Sequence, residues 1–170
     1  MARHHRFRRD RQGRFRLGLE GPEQQLLAVL PRQVQEMLEQ KDPATTRVFP
    51  VAYPADARAE ADYREMMGTQ LLQQHQRCLD TLAATAANPT IDDGEMHEWL
   101  DAVEVLRLVL GTQLDVSEDG PVPDETDPRF AQLTVYHYLS MLQTEIVDAL
   151  AAALPEAGTA PAGPAGQPGV

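Results

Sequence analysis

The feature that most constrains the fold is the recurrence of apolar side chains every three or four residues along four segments of the chain. This spacing places those side chains on one face of an α-helix, where they can pack against a common core. The pattern therefore predicts a mainly α fold with four main helices in a compact bundle. The four predicted stripes are Leu26, Leu27, Leu30, Val34, Met37 and Leu38; Tyr63, Met66, Met67, Leu71, Cys78, Leu79 and Leu82; Trp99, Val103, Leu106, Leu110 and Leu114; and Phe130, Leu133, Tyr136 or His137, Leu139 or Ser140, Leu142, Ile146 and Leu150.

Capping residues and prolines predict where these helices begin. Pro22 suits the first position of the first helix, which we expect to continue to about residue 40. Pro31 lies inside this helix, and because the apolar stripe keeps its phase there, it predicts a kink rather than an end. The predicted starts of the other three helices are at Asp56, at Asp92 with Glu95 three residues later, and at Asp127-Pro128.

The N-terminal segment predicts a β-hairpin over residues 6–19. Asp10 and Gly13 stand at the first and fourth positions of a four-residue turn, which suits a type I turn closed by a glycine in the left-handed region. In this register Phe7 lies opposite Leu17, Arg9 opposite Phe15, and Arg8 opposite Arg16. Strand alternation then separates an apolar face from an arginine face. The apolar face consists of Phe7, Phe15, Leu17 and Leu19.

Composition along the chain predicts one helical domain over residues 6–154, including the hairpin at 6–19. Residues 1–5 are expected to be a flexible N-terminus. Residues 155–170 consist largely of proline, alanine and glycine, which cannot bury enough apolar surface to offset the entropy of an ordered chain. We therefore expect this tail to be disordered.

Charge is divided unevenly between the hairpin and the rest of the chain. Residues 1–19 carry a net charge of +6 and the remaining residues −17, within a total of −11. Arginines that face one another on paired strands repel, so such a face favours an anion from outside the hairpin. Three anions remain open, in falling order: the acidic body of the same chain, an acidic protein partner, and DNA, whose contact the acidic body disfavours. The candidate partner- or anion-binding residues are Arg6, Arg8, Arg14 and Arg16.

Catalytic and metal-binding patterns are not evident in the sequence. There is no glycine-rich phosphate loop or nucleophilic serine motif, and the acidic segment 115–127 lacks the spacing of a calcium loop. We therefore expect no catalytic residues, no metal site and no cofactor. The five histidines do not form a ligand motif: they are His4, His5, His75, His97 and His137.

Cys78 is the single cysteine, so an intramolecular disulfide is impossible. Its place in an apolar stripe is typical of a buried thiol, whereas a redox role would need exposure and a lowered pKa. Cys78 stays a redox candidate on those conditions. The low cysteine content, the lack of a secretory signal and the lack of a long apolar run predict a cytoplasmic protein without membrane contact.

Several segments in a fixed order resemble a known family. They are FRRDRQGRFRLGL, RVFPVAYP, EADYREMMGTQLL, WLDAVEVLRLVLGTQLDV and DPRFAQLTVYHYLSMLQ. Together they are similar to an actinobacterial family, long catalogued as a domain of unknown function, that is associated with the AosR oxidative-stress transcriptional regulators. The resemblance covers about residues 5–152, and RLVLGTQLDV is its most recognisable part.

The resemblance implies a non-enzymatic, redox-responsive transcriptional regulator. It implies action through protein contacts with a sigma factor or RNA polymerase, on genes of cysteine metabolism. The alternative it implies is an accessory interaction protein, linked to the ClpS/Clp proteolysis pathway or to cysteine biosynthesis, without DNA contact. Because Cys78 stands alone, sensing by an internal cysteine pair is excluded for this chain. The DNA site and the oligomeric state are left open.

Overall fold

The structure, a computed structural model, describes residues 6–116 and 124–154. It confirms a mainly α architecture with four main helices and an N-terminal hairpin. The elements in chain order are strands β1 (Phe7–Arg9) and β2 (Phe15–Leu17), helix α1 (Gly21–Glu39), a 3₁₀ helix (Pro43–Val48), helix α2 (Ala57–Thr85), strand β3 (Thr90–Ile91), helix α3 (Asp93–Gln113) and helix α4 (Phe130–Ala152).

The hairpin has the predicted register and the predicted turn. Phe7 pairs with Leu17, Arg8 with Arg16 and Arg9 with Phe15. Gly13 has a φ of +80°, and its N–H donates to the Asp10 carbonyl over 3.2 Å. Positive φ is readily adopted by glycine, which explains its place at the end of this turn. The apolar face is buried as expected at Phe7, Phe15 and Leu19, and is half-buried at Leu17.

A third strand, β3, was not predicted from the sequence. It pairs antiparallel with β2, with Phe15 opposite Ile91, and gives a sheet of order β1-β2-β3. Phe15 and Ile91 are fully buried, and Phe7 contacts the ring of Trp99 edge-on at 6.1 Å between centroids. The two-residue strand therefore anchors the hairpin to the start of α3.

Helix capping agrees with the sequence for α2 and α3 and differs for the other two helices. Asp56 caps α2, and Asp92 with Glu95 forms the predicted capping box of α3. Helix α1 begins at Gly21, one residue before Pro22. Helix α4 begins at Phe130 rather than at Asp127-Pro128, because the Asp127 side chain accepts the N–H of Arg129 and holds a turn there.

Helix α3 lies at the centre of the core and contacts α1, α2, α4 and the 3₁₀ helix. Every residue of its predicted stripe is buried. In α4, the structure resolves the two alternatives of the stripe: Leu139 is fully buried beside a half-buried Ser140, and Tyr136 is half-buried while His137 is exposed. None of the helices in residues 6–116 and 124–154 is long and apolar enough to cross a membrane.

The predicted stripe of α2 is wrong over the N-terminal half of that helix. Cys78, Leu79 and Leu82 are buried, but Met66 is 76% exposed. Helix α2 has 29 residues against 19 in α1 and 21 in α3, so its first turns extend beyond the helices that cover the rest. Periodicity alone does not show which turns of a long helix have a neighbour.

Two of the predicted segments lie outside the described residues, namely the flexible residues 1–5 and the disordered tail 155–170. The acidic segment 115–127 is described only in part. The assignment of residues 6–154 to a single domain stays a prediction.

Candidate functional site

The hairpin presents Arg8 and Arg16 side by side on its outer face. The two residues are directly opposite each other on β1 and β2, and both are exposed. Within the described residues, neither guanidinium has an ion pair or a hydrogen bond. The strands therefore hold two like charges together without a counter-charge on this face, which is a small cost to the hairpin. This pair is the candidate anion-binding site.

Arg6 has a different position from the other predicted site residues. Its Nε lies 2.7 Å from Glu23 Oε1 and its Nη1 lies 2.5 Å from Glu145 Oε1. Its guanidinium also lies over the ring of Tyr138, 5.7 Å from the centroid. Arg6 thus joins the start of the hairpin to α1 and α4, and its counter-charge comes from the acidic body of the chain.

Glu23 serves both the α1 cap and the Arg6 ion pair. Burial alone would raise the pKa of Glu23, but the Glu20 backbone N–H and the Arg6 guanidinium lower the pKa below its usual value. Next to it, burial raises the pKa of the Tyr138 phenol, whose hydroxyl has no hydrogen-bond partner among the described residues. The cluster is therefore a structural junction between the hairpin and two helices.

Arg14 stays on the exposed side of the hairpin, near its turn. Its Nη2 donates to the carbonyl of Thr90 over 3.3 Å, which leaves the positive charge without a carboxylate partner in the part of the chain described. Arg14 therefore extends the basic surface formed by Arg8 and Arg16. Of the four predicted arginines, the structure brings these three to an exposed surface and separates Arg6 from them.

Arg9 was not among the predicted site residues, and the structure gives it a packing role. Its guanidinium lies 5.6 Å from the centroid of the Phe15 ring, and its Nη1 donates to the carbonyl of Ala153 over 2.9 Å. Its Nη2 lies 3.9 Å from Asp93 Oδ1. The register already indicated this difference, because Arg9 shares a face with Phe15 rather than with Arg8.

Cys78 meets neither condition for a redox thiol. It is buried, only 2% of its surface is accessible, and its Sγ donates to the carbonyl of His75. Burial raises the pKa of this thiol to about 12, and the nearby carboxylates of Asp101 and Glu98 add to the shift. Thiolate is the reactive form, so this environment keeps Cys78 inert.

In residues 6–116 and 124–154, no three histidine, cysteine, aspartate or glutamate side chains come together as a possible metal site. His75 contacts the carbonyl of Val48, and His97 contacts the carbonyl of Asp93. These histidines therefore have local backbone partners on separate helices. The remaining predicted surface is the basic one around Arg8 and Arg16.

Comparison with known proteins identifies the family. A family model described as Domain of unknown function (DUF2017) matches residues 4–150, which include the hairpin and nearly all of α4. The chain belongs to the DUF2017 family. The resemblance drawn from the ordered segments is thereby confirmed. No solved structure matches this DUF2017 chain.

Curated relatives of this DUF2017 protein come from mycobacteria. A Mycobacterium leprae protein, provisionally named oxidative stress regulator AosR, is 28% identical over 132 residues, covering 66% of this chain and 60% of its own length. The proteins of Mycobacterium bovis and Mycobacterium tuberculosis named oxidative stress regulator AosR are each 32% identical over 74 residues, covering 42% of this chain and 34% of their own length. The chain thus spans less than two thirds of the curated relatives it matches.

Proposed function

We propose that this chain is a non-enzymatic regulator of the oxidative-stress response that acts through protein–protein contacts. Membership of the DUF2017 family and the names of its mycobacterial relatives support the regulatory role. The proposed partner is a sigma factor or RNA polymerase. The proposed targets are genes of cysteine metabolism, which transcript levels in a deletion strain under oxidant would test.

The observation that carries the proposal is the unneutralised pair Arg8 and Arg16. The chain has 26 acidic residues and a net charge of −11, and it uses two of those acids to neutralise Arg6. It leaves Arg8 and Arg16 exposed without such partners among the described residues. Arginine presents planar donors that match carboxylates in pairs, which favours an acidic protein surface as the partner.

DNA is a less favoured partner for the same surface. Two phosphate contacts would give a slope of only about −1.8 in a plot of log affinity against log salt concentration. The acidic remainder of the chain would repel the duplex around that small contact. A slope near zero, measured with DNA and the purified chain, would dismiss direct DNA binding through Arg8 and Arg16.

The buried thiol of Cys78 places oxidant sensing outside this chain. Its burial and raised pKa argue against direct oxidation. We propose that the partner or another component senses the oxidant, and that this chain responds by changing its contacts. The response then requires no chemistry within the chain itself.

Affinity capture of the full chain from oxidant-treated and untreated cells tests the proposal. We expect a sigma factor or RNA polymerase to be recovered, and to be enriched after oxidant treatment. Recovery of ClpS or the Clp protease in place of the transcription machinery would favour the accessory role in proteolysis. Recovery of neither class would contradict both interpretations.

A further inference from the structure

A groove separates the N-terminal half of α2 from the end of α1 and the 3₁₀ helix. It encloses about 530 Å³, a size typical of binding clefts. Its walls are largely apolar, and along α2 it extends from Tyr63 to Leu72. Its main apolar lining residues are Leu38, Phe49, Tyr63, Met67, Leu71 and Leu72.

The side of α2 that borders this groove has apolar residues without a partner. Met66 is 76% exposed and Tyr53, which contacts Tyr63 edge-on, is 50% exposed. Helical spacing of this kind normally marks a buried stripe, and here the stripe continues for several turns beyond the core. Exposed apolar surface bordering a groove is typical of an interaction site.

Gly68 lies in the α2 wall of the groove. A Cβ added there would have no atom within 4 Å, so nothing in the described fold requires a glycine at this position. Glycine in a helix interior costs up to about 1 kcal/mol relative to alanine. A partner that approaches the helix backbone closely at this point would account for it.

Charges of opposite sign flank the two walls. Lys41 and Arg47 lie on the side of α1 and the 3₁₀ helix, while Asp62 and Glu65 lie next to Met66 on α2. All four are exposed and have no ion pair in the described residues. By contrast Arg64, which lines the groove, is already paired with Glu60 over 2.7 Å.

We propose that this groove is the interface of a symmetric dimer of the chain. An occupant that fits it presents an apolar helix face, acids toward Lys41 and Arg47, and bases toward Asp62 and Glu65. A second copy presents all three through the same surface, because a two-fold axis brings the α2 wall of each copy against the opposite wall of the other. Met66 of each copy then fills the partner's groove, and Gly68 allows the close approach.

Sedimentation velocity of the full chain over a range of concentrations, at about 0.15 M salt, tests the proposal. We expect a monomer–dimer equilibrium between 18.8 kDa and twice that mass. Two substitutions should raise the dissociation constant about tenfold or more: Gly68→Leu, which fills the groove, and Met66→Asp, which places a charge in it. The matched control is Met141→Asp on α4, where the side chain is 54% exposed, and it should leave the dimer unchanged.

A charge exchange distinguishes a second copy from any other occupant. Lys41→Glu/Arg47→Glu makes both walls acidic, and Asp62→Lys/Glu65→Lys makes both walls basic, so each variant alone should be monomeric. An equal mixture of the two should dimerise, because acidic walls then face basic ones. Circular dichroism confirms that both variants are folded.

Three results would overturn the proposal. They are a wild-type chain that stays monomeric throughout, a dimer that Gly68→Leu and Met66→Asp leave intact, and a mixture of the charge variants that does not associate. Each of them would show that the groove does not join two copies of this chain.

Discussion

Arg8 and Arg16 lie directly opposite each other on β1 and β2, with both side chains exposed and without a carboxylate partner in the described residues. Like charges in this arrangement destabilise a strand pair. The hairpin would be more stable without the repulsion, so the two arginines are best explained by what they bind. This relationship underlies the first prediction and the last.

Replacing one arginine by an acid should stabilise the hairpin. Arg16→Glu turns a repelling cross-strand pair into an attractive one, and we expect the free energy of unfolding to rise by about 0.2–1 kcal/mol. Urea denaturation measures the change, with Arg32→Glu on the exposed face of α1 as the control. A clear loss of stability specific to Arg16→Glu would mean that a carboxylate of this chain already neutralises the pair.

The ion pairs of Arg6 should be important for stability. Arg6→Met leaves Glu23 and Glu145 as partly buried carboxylates without their cation, and we expect a loss of about 1–3 kcal/mol in the free energy of unfolding. Arg8→Met removes an arginine two residues away without breaking an ion pair of the described residues. It should change stability little, and equal losses in both variants would contradict the assigned difference.

The contribution of Arg6 should depend on pH in a definite direction. The pKa of Glu23 is lowered below 4.5 in the folded chain, so the stabilisation is present above that value and is lost as pH falls through the lowered pKa. The difference in unfolding free energy between wild type and Arg6→Met should therefore be constant near neutral pH and decrease in acid. A difference that increases on acidification would contradict the ion pair as its cause.

Cys78 should react with thiol reagents only when the chain unfolds. Its burial and its pKa of about 12 keep the thiol protonated and inaccessible in the native state. A colour assay with an aromatic disulfide should show slow modification in buffer and fast modification in denaturant. Cys78→Ala should also keep any oxidant-dependent capture of partners, and loss of that dependence would assign the sensor to this thiol.

Two helical glycines should respond differently to alanine. At Gly68 a Cβ has open space, whereas at Gly111 it would lie 3.2 Å from Tyr136 Cε2. At a concentration where the chain is monomeric, Gly68→Ala should raise the free energy of unfolding by up to about 1 kcal/mol through helix propensity. Gly111→Ala should gain less or lose stability, because the Tyr136 ring has to move. Thermal unfolding of both variants checks the order, and the reverse order would be the contrary result.

Local chemistry predicted much of this fold from the sequence. Asp10 and Gly13 determine the turn, so the register that places Arg8 opposite Arg16 was correctly predicted. The stripe of α3 was also correct, because that central helix has neighbours along its length.

The differences come from contacts between residues far apart in the chain. Strand β3 has two residues and no periodicity of its own, and it forms only because β2 is adjacent. The exposure of Met66 depends on the lengths of the neighbouring helices. The position of Arg6 depends on Glu145, 139 residues away, and nothing in the local sequence indicates that approach.

The most direct test of the account is partner capture by Arg8→Ala/Arg16→Ala compared with wild type. The matched control is Arg32→Ala/Arg58→Ala, which removes the same charge from two exposed arginines that have no side-chain partner in the described residues. We predict that the hairpin variant stays folded and loses the sigma factor or RNA polymerase, while the control keeps it. Equal recovery from all three proteins would contradict the claim that this arginine pair binds the partner.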